Sequence, residues 1–267
     1  MTTLKHLVLQ PRAGLCNRLR AIASAKRLGA LFGITCTICW DWGDFYEFFV
    51  PDPLMDWIPA LTPEMKASWP RVSHRHSCQG GEPANQRIDL ERHTHIVLGS
   101  CYAFNALQEA GLIEEEQLGQ WIPRPAKAIV QEVQEFKTTR FSNTVGVHLR
   151  RTDHKRANDW SPDGLFFTEI EALIAAGRTI FLSTDRREYE ALIRERFGTR
   201  IIVYPKSQNL PKRWPRRRFN PEETFDDLVD LHLLATCEFV IGSAYSSFSR
   251  IAITLNGSVH CKALTCH

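Results

Sequence analysis

The chain has 267 residues, of which 43% are hydrophobic and 24% charged, and its formal net charge is +3. These values are ordinary for a globular protein and exclude a disordered chain, and no apolar run is long enough to span a membrane. The mild charge also excludes a general polyanion binder. Basic residues cluster between Lys212 and Arg218, but no nucleic-acid-binding module accompanies them. We therefore expect neither a membrane span nor a nucleic acid partner.

The N-terminus and the cysteines indicate where the protein works. Residues 1–6 lead directly into the apolar run at residues 7–9, without the features of a secretion signal. The eight cysteines are scattered, unlike a disulfide scaffold. Cys36 and Cys39 have C-x-x-C spacing, but on a strand their side chains point to opposite faces, so the spacing is weak evidence for zinc. We expect a cytoplasmic protein whose cysteines are mostly small buried hydrophobes.

The first elements form a β-α-β pattern. Residues 7–9 predict a strand, residues 18–32 a helix, and residues 35–40 a second strand. Asn17 is a plausible N-cap and Gly33 a plausible end of that helix. The loop between the first strand and the helix is expected on the ligand side of the unit.

Residues 40–70 predict a packed loop, because they contain five prolines and four tryptophans. Residues 96–98 predict another strand and residues 126–136 a helix. We place a boundary near Pro123, between a first α/β domain at residues 1–123 and a second, Rossmann-like domain at residues 124–267. The fold class is α/β.

The second half alternates strands and helices, which predicts a parallel, doubly wound sheet. The predicted strands are residues 144–148, 179–183, 200–204 and 239–241, and the predicted helices are residues 165–176, 187–197, 222–236 and a last one ending near 255.

Polar clusters follow three of these strands. They are His148-Leu-Arg-Arg-Thr-Asp153, Ser183-Thr-Asp-Arg186 and Gly242-Ser-Ala-Tyr-Ser-Ser247. Ligands of open α/β sheets bind outside the carboxyl ends of strands, where an arginine fork can hold a diphosphate without a metal. Hydroxyls and amides at the next helix start would bind phosphate oxygens. The alternative is structural: the arginines pair with neighbouring acids, and Asp185 and the serines cap helices.

The loop Gly14-Leu-Cys-Asn17-Arg18 opens the first helix. Its glycine allows close backbone approach by a ligand, while Asn17 and Arg18 supply hydrogen-bond donors. The loop matches neither the dinucleotide fingerprint nor a P-loop.

Together, the glycine loop and the three polar clusters resemble the α1,6-fucosyltransferase and protein O-fucosyltransferase superfamily. The segment from His148 to Asp153 is its most specific element. The resemblance implies a GT-B architecture, with two Rossmann-like domains facing across a cleft: an acceptor-side domain at residues 1–123 and a nucleotide-sugar-binding domain at residues 124–267. It also implies inverting, metal-independent transfer of fucose from GDP-fucose, without a cofactor, to an oligosaccharide or glycoconjugate acceptor.

Site residues follow from the same resemblance. His148 and Asp185 would contact the guanosine, and Arg150 or Arg151 would grip the β-phosphate. The phosphates would also contact Ser246 and Ser247, and Gly14, Asn17 and Arg18 would lie near the sugar and acceptor.

The general base is open, because the glutamate expected shortly after the arginines is missing. Asp153 and Asp159 are candidates, with solvated-loop carboxylates as the alternative. Two other functions remain: use of another nucleotide sugar, or nucleotide binding without transfer. The tryptophans at residues 40–69 could stack against an acceptor sugar or pack in the core.

Overall fold

The structure is a computed structural model that describes residues 2–74, 87–110, 115–152, 155–206 and 220–266. Asp153 and the basic cluster at Lys212 to Arg218 lie outside the described residues. The chain divides into two compact units, Met1–Ala126 and Lys127–His267.

The first unit is built on a parallel five-stranded sheet with the order β3-β2-β1-β6-β4. A separate parallel pair joins β5 and β7. The strands are β1 (His6–Pro11), β2 (Thr35–Cys39), β3 (Met55–Ile58), β4 (Arg71–Ser73), β5 (Arg87–Ile88), β6 (His95–Ser100) and β7 (Asn105–Ala106). The central strand β1 is buried along residues 7–9, as expected for a sheet covered on both faces.

The helices of this unit differ from the sequence prediction in two places. Helix α1 (Leu15–Phe32) begins three residues early and has Gly14 as its N-cap, so the prediction of Asn17 as N-cap is wrong. Gly33 ends the helix with φ of 66°, which confirms its predicted role. The segment predicted as loop contains α2 (Phe45–Phe48) and α3 (Pro63–Ser68) in addition to β3, and a 3-10 turn spans Glu115–Trp121. These elements are too short to produce a clear period in sequence.

Trp40 belongs to the core of the first unit. It is fully buried and packs edge-on against Trp42, Phe45 and Phe49 at centroid distances of 5.6, 5.6 and 6.0 Å. Of the two roles considered for the tryptophans, sugar stacking and core packing, Trp40 therefore has the second.

The second unit is a second parallel five-stranded sheet, with the order β10-β9-β8-β11-β12. Its strands are β8 (Thr144–Leu149), β9 (Thr179–Thr184), β10 (Ile201–Ile202), β11 (Val240–Ser243) and β12 (Lys262–Leu264). The predicted α/β class and parallel sheet are confirmed. Only the short strand β12 was not anticipated.

Helices cover both faces of this sheet. Val145, Val147 and Leu149 pack on one face in a core shared with α6 and α7, whereas α8 and α9 pack on the other face. The helices are α4 (Lys127–Arg140), α5 (Lys155–Trp160), α6 (Asp163–Ala175), α7 (Arg187–Phe197), α8 (Pro221–Thr236) and α9 (Ser247–Asn256). Side chains of β8 therefore alternate between two cores, and this alternation decides the role of each arginine that follows.

Among the described residues, two absences bear on membranes and metals. None of the helices there combines the length and apolarity needed to cross a bilayer. Within the same residues, no group of three or more His, Cys, Asp or Glu side chains is arranged to hold a metal ion.

Candidate functional site in the second unit

The three polar clusters meet at one edge of the second sheet. His148 on β8 is in register with Ser183 on β9 and with Gly242 on β11. Because all three strands are parallel, the residues that follow them emerge at the same edge. The structure thus brings together His148, Arg150, Asp185 and the segment before α9.

His148 is held rigidly beneath this edge. It is only 3% exposed, its Nδ1 lies 2.7 Å from the hydroxyl of Ser249, and its ring stacks on Phe248 at 4.7 Å. A Cβ on Gly242 would lie 2.4 Å from the Cβ of Ser249. A side chain at this position would therefore push α9 away from the sheet and separate Ser249 from His148.

Arg150 presents its side chain at the edge of the sheet. Its backbone N–H donates to the Ser243 hydroxyl at 3.0 Å. Its guanidinium Nη1 lies 2.8 Å from Oδ2 of Asp185, and the side chain is 31% exposed. The guanidinium is therefore oriented by a carboxylate while remaining accessible to a ligand.

The carboxylate of Asp185 connects three neighbouring residues of the site. Its carboxylate accepts hydrogen bonds from the Arg151 backbone N–H at 2.8 Å and from the Thr152 hydroxyl at 2.6 Å, in addition to Arg150. Burial alone would raise the pKa of Asp185, but attraction to Arg150 and these hydrogen bonds outweigh it and lower the pKa. Asp185 is thus an anion that orients Arg150.

Arg151 points in the opposite direction and is 5% exposed. Its Nε donates to Oδ1 of Asp163 at 2.6 Å, and its Nη1 and Nη2 donate to the carbonyls of Arg150 and Ser161 at 2.8 Å each. The guanidinium also lies 5.2 Å from the centre of the Phe166 ring. Arg151 continues the face of Val147 and Leu149, so its three nitrogens stabilise the unit from within.

The start of α9 forms another wall of the site. Ser246 caps this helix, since its hydroxyl accepts from the Ser249 N–H at 3.4 Å, and Ser247 is the first helical residue. Tyr245, just before the cap, has φ of 56°, a region that non-glycine residues rarely adopt. Arg156 holds it there by stacking 3.9 Å from its ring centre and donating to its hydroxyl at 3.2 Å.

Of the two candidate bases, the structure describes Asp159 but not Asp153. Asp159 lies on α5 and is exposed. Asp153 is among the residues that the structure does not describe.

Asp230 is a buried acid that lies outside the three polar clusters. Helix α8 begins at Pro221, and Asp230 lies in its middle with 1% exposure. Its Oδ2 accepts from the Ser183 hydroxyl at 2.7 Å and pairs with Lys206 at 2.6 Å. Its Oδ1 is buried without a hydrogen-bond partner among the described residues. The spacing of Asp226 and Asp230 by four residues, with Leu234 next in the series, is the signal that could have identified this buried face.

The glycine loop of the first unit leaves space beside Gly14. Gly14 has φ of −69°, which any residue can adopt, and a Cβ there would meet nothing within 4 Å. The glycine is thus required neither by backbone geometry nor by packing inside the described residues. Asn17 is half-buried, and its Oδ1 accepts from Arg20 at 3.5 Å.

Arg18 is directed into the first unit and is 6% exposed. Its Nε donates to the Ala13 carbonyl at 3.0 Å, its Nη1 pairs with Asp41 at 2.7 Å, and its guanidinium lies 4.0 Å from the centre of the Trp42 ring. These contacts brace the loop, and Ala13 is held with φ of 66°.

Comparison with known proteins identifies the fold. No protein-family model and no curated protein matches the chain. Among solved structures, NodZ α1,6-fucosyltransferase soaked with GDP-fucose is 20% identical over 94% of this chain and 92% of its own, with a TM-score of 0.59. A structure of NodZ from Bradyrhizobium matches at a TM-score of 0.56.

Two further groups of structures match over almost the whole chain. POFUT1 in complex with GDP is 11% identical, covers 97% of each chain and has a TM-score of 0.57. Arabidopsis thaliana FUT1 in complex with GDP is 12% identical over 97% of this chain and 69% of its own, with a TM-score of 0.61. The chain thus has the fold of the α1,6-fucosyltransferase and protein O-fucosyltransferase superfamily, which confirms the resemblance predicted from the sequence at the level of fold.

Proposed function

We propose that the protein is a glycosyltransferase that moves fucose from GDP-fucose to a hydroxyl of a sugar acceptor. The observation that carries the proposal is the accessible Arg150 guanidinium, fixed by Asp185 at the strand edge. The structures of NodZ soaked with GDP-fucose and of POFUT1 and FUT1 with GDP support the choice of donor.

Arg150 is assigned to the β-phosphate of the donor. As the bond between fucose and GDP breaks, negative charge grows on the leaving phosphate, so a guanidinium aimed there stabilises the transition state more than the ground state. Arg151 cannot take this role without breaking its buried contacts to Asp163 and Ser161. In this assignment Arg151 is a structural residue.

The start of α9 is assigned to the remaining phosphate oxygens. Backbone N–H groups at a helix N-terminus, together with the helix dipole, favour anions. The Ser247 hydroxyl is the most direct contact here, because the Ser246 hydroxyl is engaged as the cap. The strained Tyr245 shapes the turn that leads into these groups.

Asp230 is assigned to the guanine base. Guanine presents adjacent N1–H and N2–H donors, and a carboxylate oxygen that has no other partner can accept from this edge. The unpartnered Oδ1 of Asp230 lies on the α8 and α9 side of the sheet, as His148 does, and it provides such an acceptor. A buried carboxylate with an unused oxygen favours this donor edge over the edge of adenine.

The proposed reaction is a direct displacement at the anomeric carbon of fucose. The acceptor hydroxyl attacks the anomeric carbon from the face opposite GDP, which inverts the configuration, and its proton passes to a base for which Asp159 and Asp153 are the candidates. No metal takes part, since Arg150 supplies the positive charge. The first unit is assigned to binding of the acceptor and the second to binding of the donor, and we place the reaction in the cytoplasm.

The test is incubation of the purified chain with GDP-fucose and a panel of glycans, with GDP-mannose and UDP-glucose as control donors. Mass spectrometry of the glycans and measurement of released nucleotide give the readout. We expect a mass increase of one fucose with GDP-fucose only. Transfer from another donor would reassign the sugar, and tight GDP binding without turnover of any donor would identify a binding module instead.

A further inference from the structure

A cavity of about 390 Å³ lies within the first unit, at the carboxyl ends of β1 and β2. Gln10 and Cys39, near the ends of these strands, line it together with Lys66 of α3 and Arg71 at the start of β4. The volume is within the range of small-molecule sites, and strand ends of this kind are where α/β sheets bind ligands.

The cavity carries an excess of positive charge. Among the described residues that line it, the one acid is Asp41, which is already paired with Arg18 at 2.7 Å. Within the described parts of the chain, neither Lys66 nor Arg71 has a carboxylate partner, and the Arg71 Nη2 donates at 3.2 Å to the Lys66 carbonyl. That contact ties the guanidinium to the backbone of α3, and the exposed side chains of Lys66 and Arg71 line the same cavity. Two cations that line one cavity without a carboxylate partner among the described residues favour binding of an anion.

The remaining lining suits a sugar ring. Pro59 and Leu61 offer apolar surface, against which the C–H face of a sugar can pack. The Gln10 amide makes only a weak 4.0 Å contact to the Cys39 sulfur, so its donor and acceptor are available to hydroxyl groups. The cavity therefore combines an apolar wall, an amide and two cations.

We propose that this cavity binds an acidic sugar, with Lys66 and Arg71 holding the carboxylate or sulfate of that sugar. The inference rests on the proposed function in one respect, namely that the acidic sugar is part of the acceptor. The binding itself depends only on the cavity.

The experiment is a direct titration of the full chain, by calorimetry or ligand-observed NMR, with three monosaccharides: D-glucuronate, D-glucose 6-sulfate and neutral D-glucose. The two acidic sugars separate carboxylate from sulfate recognition. Lys66→Gln, Arg71→Gln and the double variant remove the cations while retaining polar side chains. Lys5→Gln and Arg92→Gln are matched controls, because both side chains are exposed and precede the amino ends of β1 and β6.

We expect at least one acidic sugar to bind more tightly than glucose, and each cavity variant to weaken it by about tenfold or more through the loss of a charge-assisted hydrogen bond. The control variants should bind like the wild type. The proposal is overturned if neither acidic sugar binds better than glucose, or if the double variant binds them as the wild type does. GDP binding, measured in parallel, separates the two ideas: failure of GDP to bind would remove the proposed function and leave the acidic-sugar site intact.

Discussion

The neighbouring residues Arg150 and Arg151 should respond in opposite ways to the same conservative change. Arg150→Lys keeps the charge beside Asp185, so we expect the free energy of unfolding to change by less than about 1 kcal/mol. A lysine cannot reproduce the guanidinium fork on the leaving phosphate. We therefore expect kcat to fall about tenfold to a hundredfold, and Arg150→Ala to lose about 10²–10³-fold, as when a transition-state donor is removed.

Arg151→Lys should instead affect stability. The three guanidinium nitrogens serve Asp163 and the carbonyls of Arg150 and Ser161, all within 2.8 Å. A single ammonium cannot reach all three. The Asp163 carboxylate is 38% exposed and can bind water, but each backbone carbonyl left buried without a donor destabilises by about 1–3 kcal/mol. We expect a total loss of about 2–4 kcal/mol, which lowers Tm by roughly 4–16 °C in a protein of this size.

The assay pairs kcat, from GDP release at saturating GDP-fucose, with Tm from scanning calorimetry. Arg194→Lys is the matched control, because its side chain is half exposed in a surface pair with Glu190, and it should change neither quantity. The assignment is refuted if Arg150→Lys retains the wild-type kcat, or if Arg151→Lys unfolds at the wild-type temperature.

Four other outcomes follow from the structure. The lowered pKa of Asp185 stabilises the folded state above pH 3.8, and this stability is lost as the pH falls through the folded pKa. The free energy of unfolding in urea should therefore differ between Asp185→Asn and the wild type at pH 7 and converge at low pH. Asp230→Asn should weaken GDP binding about tenfold or more while leaving weak UDP binding unchanged, as titration calorimetry can measure. Fucose transfer should persist after treatment with EDTA. A loss of activity that Mg²⁺ or Mn²⁺ restores would contradict the proposal that Arg150 binds the β-phosphate without a metal. Burial raises the pKa of Cys36 to about 12, so peptide mapping after native-state alkylation should show the exposed Cys266 modified before Cys36.

The sequence was a good guide to the second unit, because its elements are long and strongly patterned. The helix Arg187–Phe197 has the predicted bounds, and β8 and β9 each extend only one residue beyond them. The first unit was harder to predict. Its stretch after Trp40 contains helices of four and six residues, which are too short to show a local periodicity and depend on tertiary packing. Phe45 of the first packs against Trp40, and Met65 of the second packs against a cluster that includes Leu61.

The site was predicted at the level of motifs but not of individual side chains. Arg150 and Arg151 are identical in type and adjacent, and only the alternation of Val145, Val147 and Leu149 shows that Arg151 continues into the apolar core. Arg18 was expected to face a ligand, yet Trp42 and Asp41 hold it inside the unit. Both contacts come from residues more than twenty positions along the chain, which no local pattern reveals.

The most direct test of the central claim is a calorimetric titration of the wild-type chain and Arg150→Ala with GDP. We predict that the wild type binds GDP and that the variant binds at least about tenfold more weakly, because one charge-assisted contact to the β-phosphate is lost. Absence of GDP binding by the wild type, or equal affinity in the two proteins, would contradict the proposal that Arg150 holds the diphosphate of a GDP-sugar.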